Sequence, residues 1–142
     1  MRLYVDSNVL LCYIKSELGG LSKAMVFRCE EFFIKAKTEG HVFLLSDLTF
    51  REIEKIGYYS RSETESLLSF FGISFEVTLV SADTKHKSGF IERDCGIHYP
   101  DSLHVQLALE SNADLIVTWN LKDFKKTERL VRCVSPEEFN LM

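Results

Sequence analysis

Runs of apolar residues in this chain come in two lengths, and the lengths alternate. Short runs of four to six residues, "RLYV", "HVFLLS", "FEVTLV", "DLIVTW" and "LVRCVS", are too apolar to have one face in water, so they read as strands buried on both sides. Between them lie longer segments with helical spacing of apolar positions. "SNVLLCYIKSE" and "LSKAMVFRCEEFFIKAKTE" follow the first strand, the second with Met25, Phe32, Phe33 and Ala36 among its apolar positions. "DLTFREIEKIGYY" and "SRSETESLLSFFG" follow the second strand, with Asp47 and Ser60 or Ser62 as candidate caps. "SADTKHKSGFIERDCG" and "PDSLHVQLALESN" lie between the third and fourth strands, and "PEEF" follows the fifth. Gly19-Gly20, Gly40 and Gly96 read as helix stops, and Pro100 and Pro136 stand where helices begin. Strands separated by helices predict an α/β fold around a parallel sheet.

Ligands of such folds bind outside the carboxyl ends of the strands. Asp6 ends the first strand, where the simplest reading is a cap for the helix that begins at Ser7. Three further acids change that picture. Glu52 lies in the helix after the second strand and shares helical spacing with Leu48, Thr49 and Ile56. Glu54 is its competitor, one that solvation explains. Asp101 opens the otherwise apolar helix "PDSLHVQLALE", and Asp123 stands in "TWNLKDF" just past the fourth strand. Asp114 precedes that strand and belongs to the opposite edge of the sheet. His104, one turn after Asp101, reads as a hydrogen-bonded core histidine rather than a ligand. Asn8, Thr118 and Asn120 are polar neighbours at the same ends. Four carboxylates in one cleft repel one another. A hard divalent cation resolves this, and an oxygen-rich donor set suits Mg²⁺ or Mn²⁺. Carboxylate-held metal is a standard device for activating water against a phosphodiester.

Composition adds limits. At 142 residues the chain has the length of one domain, residues 1–142, and its net charge of −4 provides no global basic footprint. The four cysteines, Cys12, Cys29, Cys95 and Cys133, form no CxxC pair, which disfavours zinc and fits a reducing cytoplasm. No apolar stretch is long enough to span a membrane, and "MRLYVDSNVLL" does not read as a signal peptide. Local basic residues beside Asp123, namely Lys122, Lys125 and Lys126, are candidates to grip a phosphodiester backbone. Lys85, His86 and Lys87 read equally as a solvated face. Trp119 and Tyr99 flank acids, where they could stack on unpaired bases, although Trp119 reads as well as a residue packed on the sheet. Surplus apolar residues in "KAMVFRCEEFFIKA" point to a homodimer face or a groove for a peptide.

Taken in order, "YVDSNVLL", "SDLTFREI", "YPDSLHVQLALE", "ADLIVTWNLKDF" and "VSPEEF" resemble the PIN-domain family of metal-dependent ribonucleases, from end to end of the chain. That family includes the toxins of VapBC-type toxin–antitoxin pairs. The resemblance implies a parallel sheet of about five strands between helices, an endoribonuclease activity that uses Mg²⁺ or Mn²⁺, and an antitoxin partner if the chain is a toxin. It places catalytic roles on Asp6, Glu52, Asp101 and Asp123, with Asp6 and Asp101 as metal ligands. Many members carry an Asp where this chain has Asn120, which bears on a second metal position. Many also act in RNA maturation rather than as toxins, and a catalytically silent PIN module that binds RNA or protein is the alternative. Two rival hydrolase and signalling folds fail at named residues. A haloacid-dehalogenase-type phosphatase needs a second Asp where Asn8 stands, and a receiver domain needs adjacent acids near its first strand.

Overall fold

Strand residues alternate between two cores, which is why the runs are continuously apolar. In the computed structural model, which describes residues 1–15 and 22–142, the strands are β1 (Arg2–Val5), β2 (Val42–Ser46), β3 (Ser74–Thr78), β4 (Leu115–Val117) and β5 (Arg132–Val134). All neighbours pair in parallel, in the order β3-β2-β1-β4-β5. On one face, Leu3, Val5, Phe43, Leu45, Leu115, Val117 and Val134 meet α1 (Ser7–Ile14), α2 (Lys23–Thr38), α3 (Asp47–Gly57), α4 (Arg61–Phe70) and α8 (Pro136–Asn140). On the other, Tyr4, Leu44, Ile116 and Cys133 meet α5 (Ala82–Cys95), α6 (Asp101–Glu110) and the short α7 (Leu121–Phe124). This is the expected α/β/α sandwich. Cys12 and Cys133 are buried thiols, as the apolar runs around them suggest.

Local chemistry accounts for most element ends. Ser60 with Glu63 and Ser135 with Glu138 form capping boxes, Pro136 opens α8, and Gly40 and Gly96 take positive φ after α2 and α5. The cap of α3 is a correction. Ser46, not Asp47, accepts from the Thr49 N–H, while Asp47 Oδ1 accepts from the N–H groups of Leu48 and Val80. Asp47 thereby ties α3 to the chain leaving β3. Strands β2 to β5 are shorter than their apolar runs, and α7 with the 3₁₀ turn Lys125–Thr127 has no apolar period of its own to announce it. The Gly19-Gly20 stop lies outside the described residues.

The chain winds one way from β1 to β2 and β3, then crosses to the other side of β1 for β4 and β5. The crevice at the carboxyl ends of β1 and β4 is therefore the switch point at which a ligand is expected. Behind it the first core is anchored by aromatic rings. Phe32 stacks on Phe43 with ring centres 5.3 Å apart and meets Phe139 edge-on at 5.1 Å. Helix α2 also presents Phe27 (54% exposed) and Ile34 (58%) outward, the surplus seen in the sequence. No helix among the described residues is long and apolar enough to cross a membrane. Replacing the fully buried Phe32 by Ala is expected to cost about 3–5 kcal/mol of stability. Phe27→Ala should stay within about 0.5 kcal/mol. Urea unfolding midpoints of the two variants check this.

Candidate metal centre at the switch point

The Asp6 carboxylate sits in the crevice, 5% exposed, and makes no capping hydrogen bond to α1. Beside a backbone contact with Ser7, its partners are side-chain hydroxyls. Thr118 Oγ1 donates to Asp6 Oδ2 at 2.8 Å, and Ser7 Oγ lies 3.4 Å from Oδ1. Thr118 is itself fixed, because its oxygen accepts from Asn8 Nδ2 at 3.2 Å and from the Asn120 N–H at 3.0 Å. Asn8 Oδ1 then accepts the Trp119 N–H at 3.2 Å. The three polar neighbours read from the sequence thus form one frame that joins the ends of β1 and β4.

Glu52 reaches the same place from α3. Its Oε1 accepts from Ser7 Oγ at 3.1 Å and from His104 Nε2 at 2.7 Å. Glu54 is exposed. Ile56, expected on the same face as Glu52, is instead 47% exposed. The buried stripe of α3 runs through Thr49, Phe50, Ile53 and Gly57, and Glu52 borders it rather than sharing it with Ile56. His104, nearly fully buried, places Nδ1 2.8 Å from the Tyr4 hydroxyl, which in turn lies 3.1 Å from Ser46 Oγ. Burial works against charge on this ring, but Tyr4, Glu52 and Asp6 outweigh it and hold the imidazole well above its usual range. Both ring nitrogens are engaged, as expected for a hydrogen-bonded core histidine. One oxygen each of Asp6 and Glu52 and a nitrogen of His104 nevertheless lie within 4.8 Å of one another. Sequence reasoning left Ser7, Tyr4 and Ser46 out of the site. The one available signal was their position at the strand ends that carry the acids.

Asp101 begins α6, half-buried at the rim, and is not part of that tight group. Burial, and after it the charge of Asp6, pushes its carboxyl up to about 6. Burial also raises Asp6, against the pull of His104 and Thr118. Asn120 Nδ2 donates to Asp101 Oδ2 at 3.3 Å and to Asp123 Oδ2 at 3.0 Å, so the amide bridges the two outer acids. That contact, with Lys126 and Lys122 behind it, holds Asp123 below the usual carboxylate range. Lys126 Nζ stands 3.6 Å from Asp123, and Lys122 is exposed beside it. Lys125 is engaged elsewhere, donating to the Cys133 carbonyl at 3.1 Å and standing 3.7 Å from Glu128. On α5, Lys87 pairs with Asp83 at 3.1 Å on an exposed face.

Asp114 lies at the opposite edge, accepting the Arg2 N–H. An oxygen-rich donor set whose buried members are raised by desolvation and mutual repulsion fits a hard divalent cation.

No protein-family model matches this chain, and no curated protein matches it. Solved structures do. A chain of VapBC2 from Rickettsia felis, bound to a DNA fragment from their promoter, aligns with a TM-score of 0.63 at 18% identity, over 95% of this chain and 98% of that one. A toxin–antitoxin complex from Klebsiella pneumoniae gives 0.61 at 20% identity over 96% and 98%. VapBC-1 from nontypeable Haemophilus influenzae gives 0.60 at 16% over 96% and 99%. At such identities the likeness is one of fold, and it is the fold that the resemblance in the sequence implies.

Asp101 predicts a pH signature in chelator. Its folded pKa of about 6 exceeds the ordinary 3.8, so the fold binds the proton more tightly than the unfolded chain. Stability is therefore lost as pH rises from about 4 to 6. Asp101→Asn should be more stable than the parent at pH 7 by about 1–2 kcal/mol. The roughly 3 kcal/mol of two pK units is reduced by the solvent this side chain still meets. The gap should close towards pH 4, and urea unfolding across that range measures it. A gap independent of pH would remove Asp101 from the repelling cluster.

Proposed function

We propose that this chain, which shares the fold of the VapBC structures, is a PIN-like nuclease domain over residues 1–142. In this reading it is a divalent-metal-dependent endoribonuclease that hydrolyses RNA phosphodiester bonds in the cytoplasm. We further propose that it is the toxin of a toxin–antitoxin pair, with an antitoxin protein as partner and a second copy as a candidate one. The observation that carries the reading is the convergence of Asp6, Glu52 and Asp101, from three different elements, on the β1/β4 switch point.

Asp6 and Asp101 are the proposed ligands of Mg²⁺ or Mn²⁺, with Asp123 at the outer edge. When bound, the ion supplies water activation and neutralises charge on the phosphate. The protein's own groups do the rest. Thr118 holds Asp6 in one orientation through its 2.8 Å hydrogen bond. Glu52 has Oε1 fixed by Ser7 and His104, whereas Oε2 takes no hydrogen bond among the described residues. That oxygen is the proposed acceptor of the attacking water's proton. Lys122 and Lys126 stand where an RNA backbone passing Asp123 needs positive charge, Lys126 also reaching the Gly96 carbonyl at 3.4 Å, while Lys125 is engaged at β5.

Purified protein incubated with mixed RNA and Mg²⁺ or Mn²⁺ should cleave it, and chelator should stop the cleavage. Activity that survives chelation would overturn the mechanism, and inactivity on all RNA would favour the silent module. Glu52→Gln should reduce cleavage by roughly 10²–10⁴-fold, as for a positioned acid–base group. Glu54→Gln, on the solvated side of α3, should leave it nearly unchanged. Rates of both variants on one RNA at saturating metal decide the assignment.

A further inference from the structure

A cavity of about 240 Å³ opens next to the acids, lined by Asn8, Leu11, Cys12 and Lys15 of α1 and its end, Met25 of α2, and Trp119. It is joined to the candidate centre by hydrogen bonds rather than by proximity alone. Asn8 belongs to both, donating to Thr118 and accepting the Trp119 N–H. Thr118, the residue before Trp119, donates to Asp6. The frame that fixes Asp6 therefore also holds the Trp119 main chain, and the indole stands one residue from Thr118, the side chain bonded to the most buried acid.

The walls specify a ligand. Leu11, Cys12 and Met25 provide an apolar slot, Met25 with an adaptable side chain, and Trp119 adds an aromatic ring. Among the described residues, Asn8 and Lys15 bring the polar groups, a side-chain amide and an ammonium. Few polar groups in an apolar pocket fix the orientation of a ring-like ligand. The volume falls below the roughly 300–1,000 Å³ of pockets for drug-sized molecules, so one ring system fits and a folded strand does not. A flat heteroaromatic ring with a polar edge, attached to an anionic backbone, satisfies the indole, the amide and the ammonium together.

We infer that this cavity is a base-binding subsite for single-stranded RNA, in which Trp119 stacks on an unpaired base adjoining the scissile phosphate and Lys15 meets the backbone at the rim. The subsite rests on the ribonuclease reading for what the neighbouring acids do, but binding there can be measured without cleavage. Stacking tolerates every base, because each has a π face, so the subsite selects unpaired RNA more than sequence.

Trp119 is the single tryptophan of the chain, so intrinsic fluorescence reports on this wall alone. In chelator, short single-stranded RNA should quench it saturably, whereas the same sequence annealed into a duplex should quench it far less. Trp119→Leu, which keeps apolar bulk, should weaken binding of a fluorescein-labelled RNA by roughly 5- to 150-fold. Trp119→Phe, which keeps a ring, should recover most of that loss, a pattern that packing alone would not produce. Lys15→Glu provides a second variant, which leaves the apolar wall of the cavity intact, and should weaken the same binding with an unchanged melting temperature. With Mg²⁺ the loss in Trp119→Leu should fall mainly on KM. If the parent cleaves RNA while its fluorescence ignores RNA and Trp119→Leu binds as the parent does, the subsite is overturned and the ribonuclease reading stands. Quenching without any cleavage upholds the subsite and overturns the ribonuclease reading. Fluorescence that answers a protein partner but never RNA overturns the subsite in favour of protein docking.

Discussion

A carboxylate buried at the end of the central strand is the constraint around which the rest of the molecule is arranged. Desolvating an ionised group is costly unless hydrogen bonds and opposite charge compensate for it. Asp6 receives both from elements far apart in sequence, Thr118 after β4 and His104 on α6. Those elements can meet Asp6 only if β4 pairs with β1 and α6 packs over the β1 side chain Tyr4. The strand order and the acid's surroundings are thus two aspects of one requirement. A helix cap would have needed none of this, since the N–H groups of α1 are three residues away at most.

From Asp6 the polar contacts extend through both layers without entering either core. Tyr4 sits among the apolar residues of the second core, yet its hydroxyl reaches the strand end and meets His104 and Ser46. Ser46 meanwhile caps α3, the helix that carries Glu52. The rotation of α3 is therefore set at its first turn by Ser46 and one turn later by His104 on Glu52 Oε1. A buried network of this kind favours one arrangement over its neighbours, because every partial rearrangement strands a polar group.

The fold was legible because both sides of the sheet are covered. Continuous runs such as "LIV" and "VFLL" cannot belong to a strand with a wet face, and the glycine and serine ends of the helices follow from backbone chemistry. Ser46 was missed as a cap because Asp47, next to it, is an equally good cap in sequence. The choice is made by Val80, whose N–H claims Asp47 from across the structure. In the candidate site, Asp6 and Asp101 were visible because acids at the ends of apolar segments are conspicuous. Glu52 is distinguished from Glu54 by its spacing to Leu48 and Thr49, whereas Ile56, at the same spacing, faces outward because the buried stripe of α3 is narrower than that face. Ser7, Tyr4 and His104 were invisible as a unit, since their contacts with Glu52 and each other span 45 to 100 positions.

Asn120 shows how the inner and outer halves of the crevice differ. The inner acids, Asp6 and Glu52, lie against the His104 ring, and their other side-chain contacts are hydroxyl donors. The outer acids, Asp101 and Asp123, face an amide that donates to both. An aspartate at that position could donate to neither when ionised, and it would add a fourth charge beside Asp101, Asp123 and Asp6. The amide therefore lowers the repulsion at the rim, while leaving the demand for charge compensation at Asp6 as it was. Charge compensation is needed most at the deep end of the crevice, where Asp6 is most fully desolvated and where Glu52 Oε2 takes no hydrogen bond among the described residues.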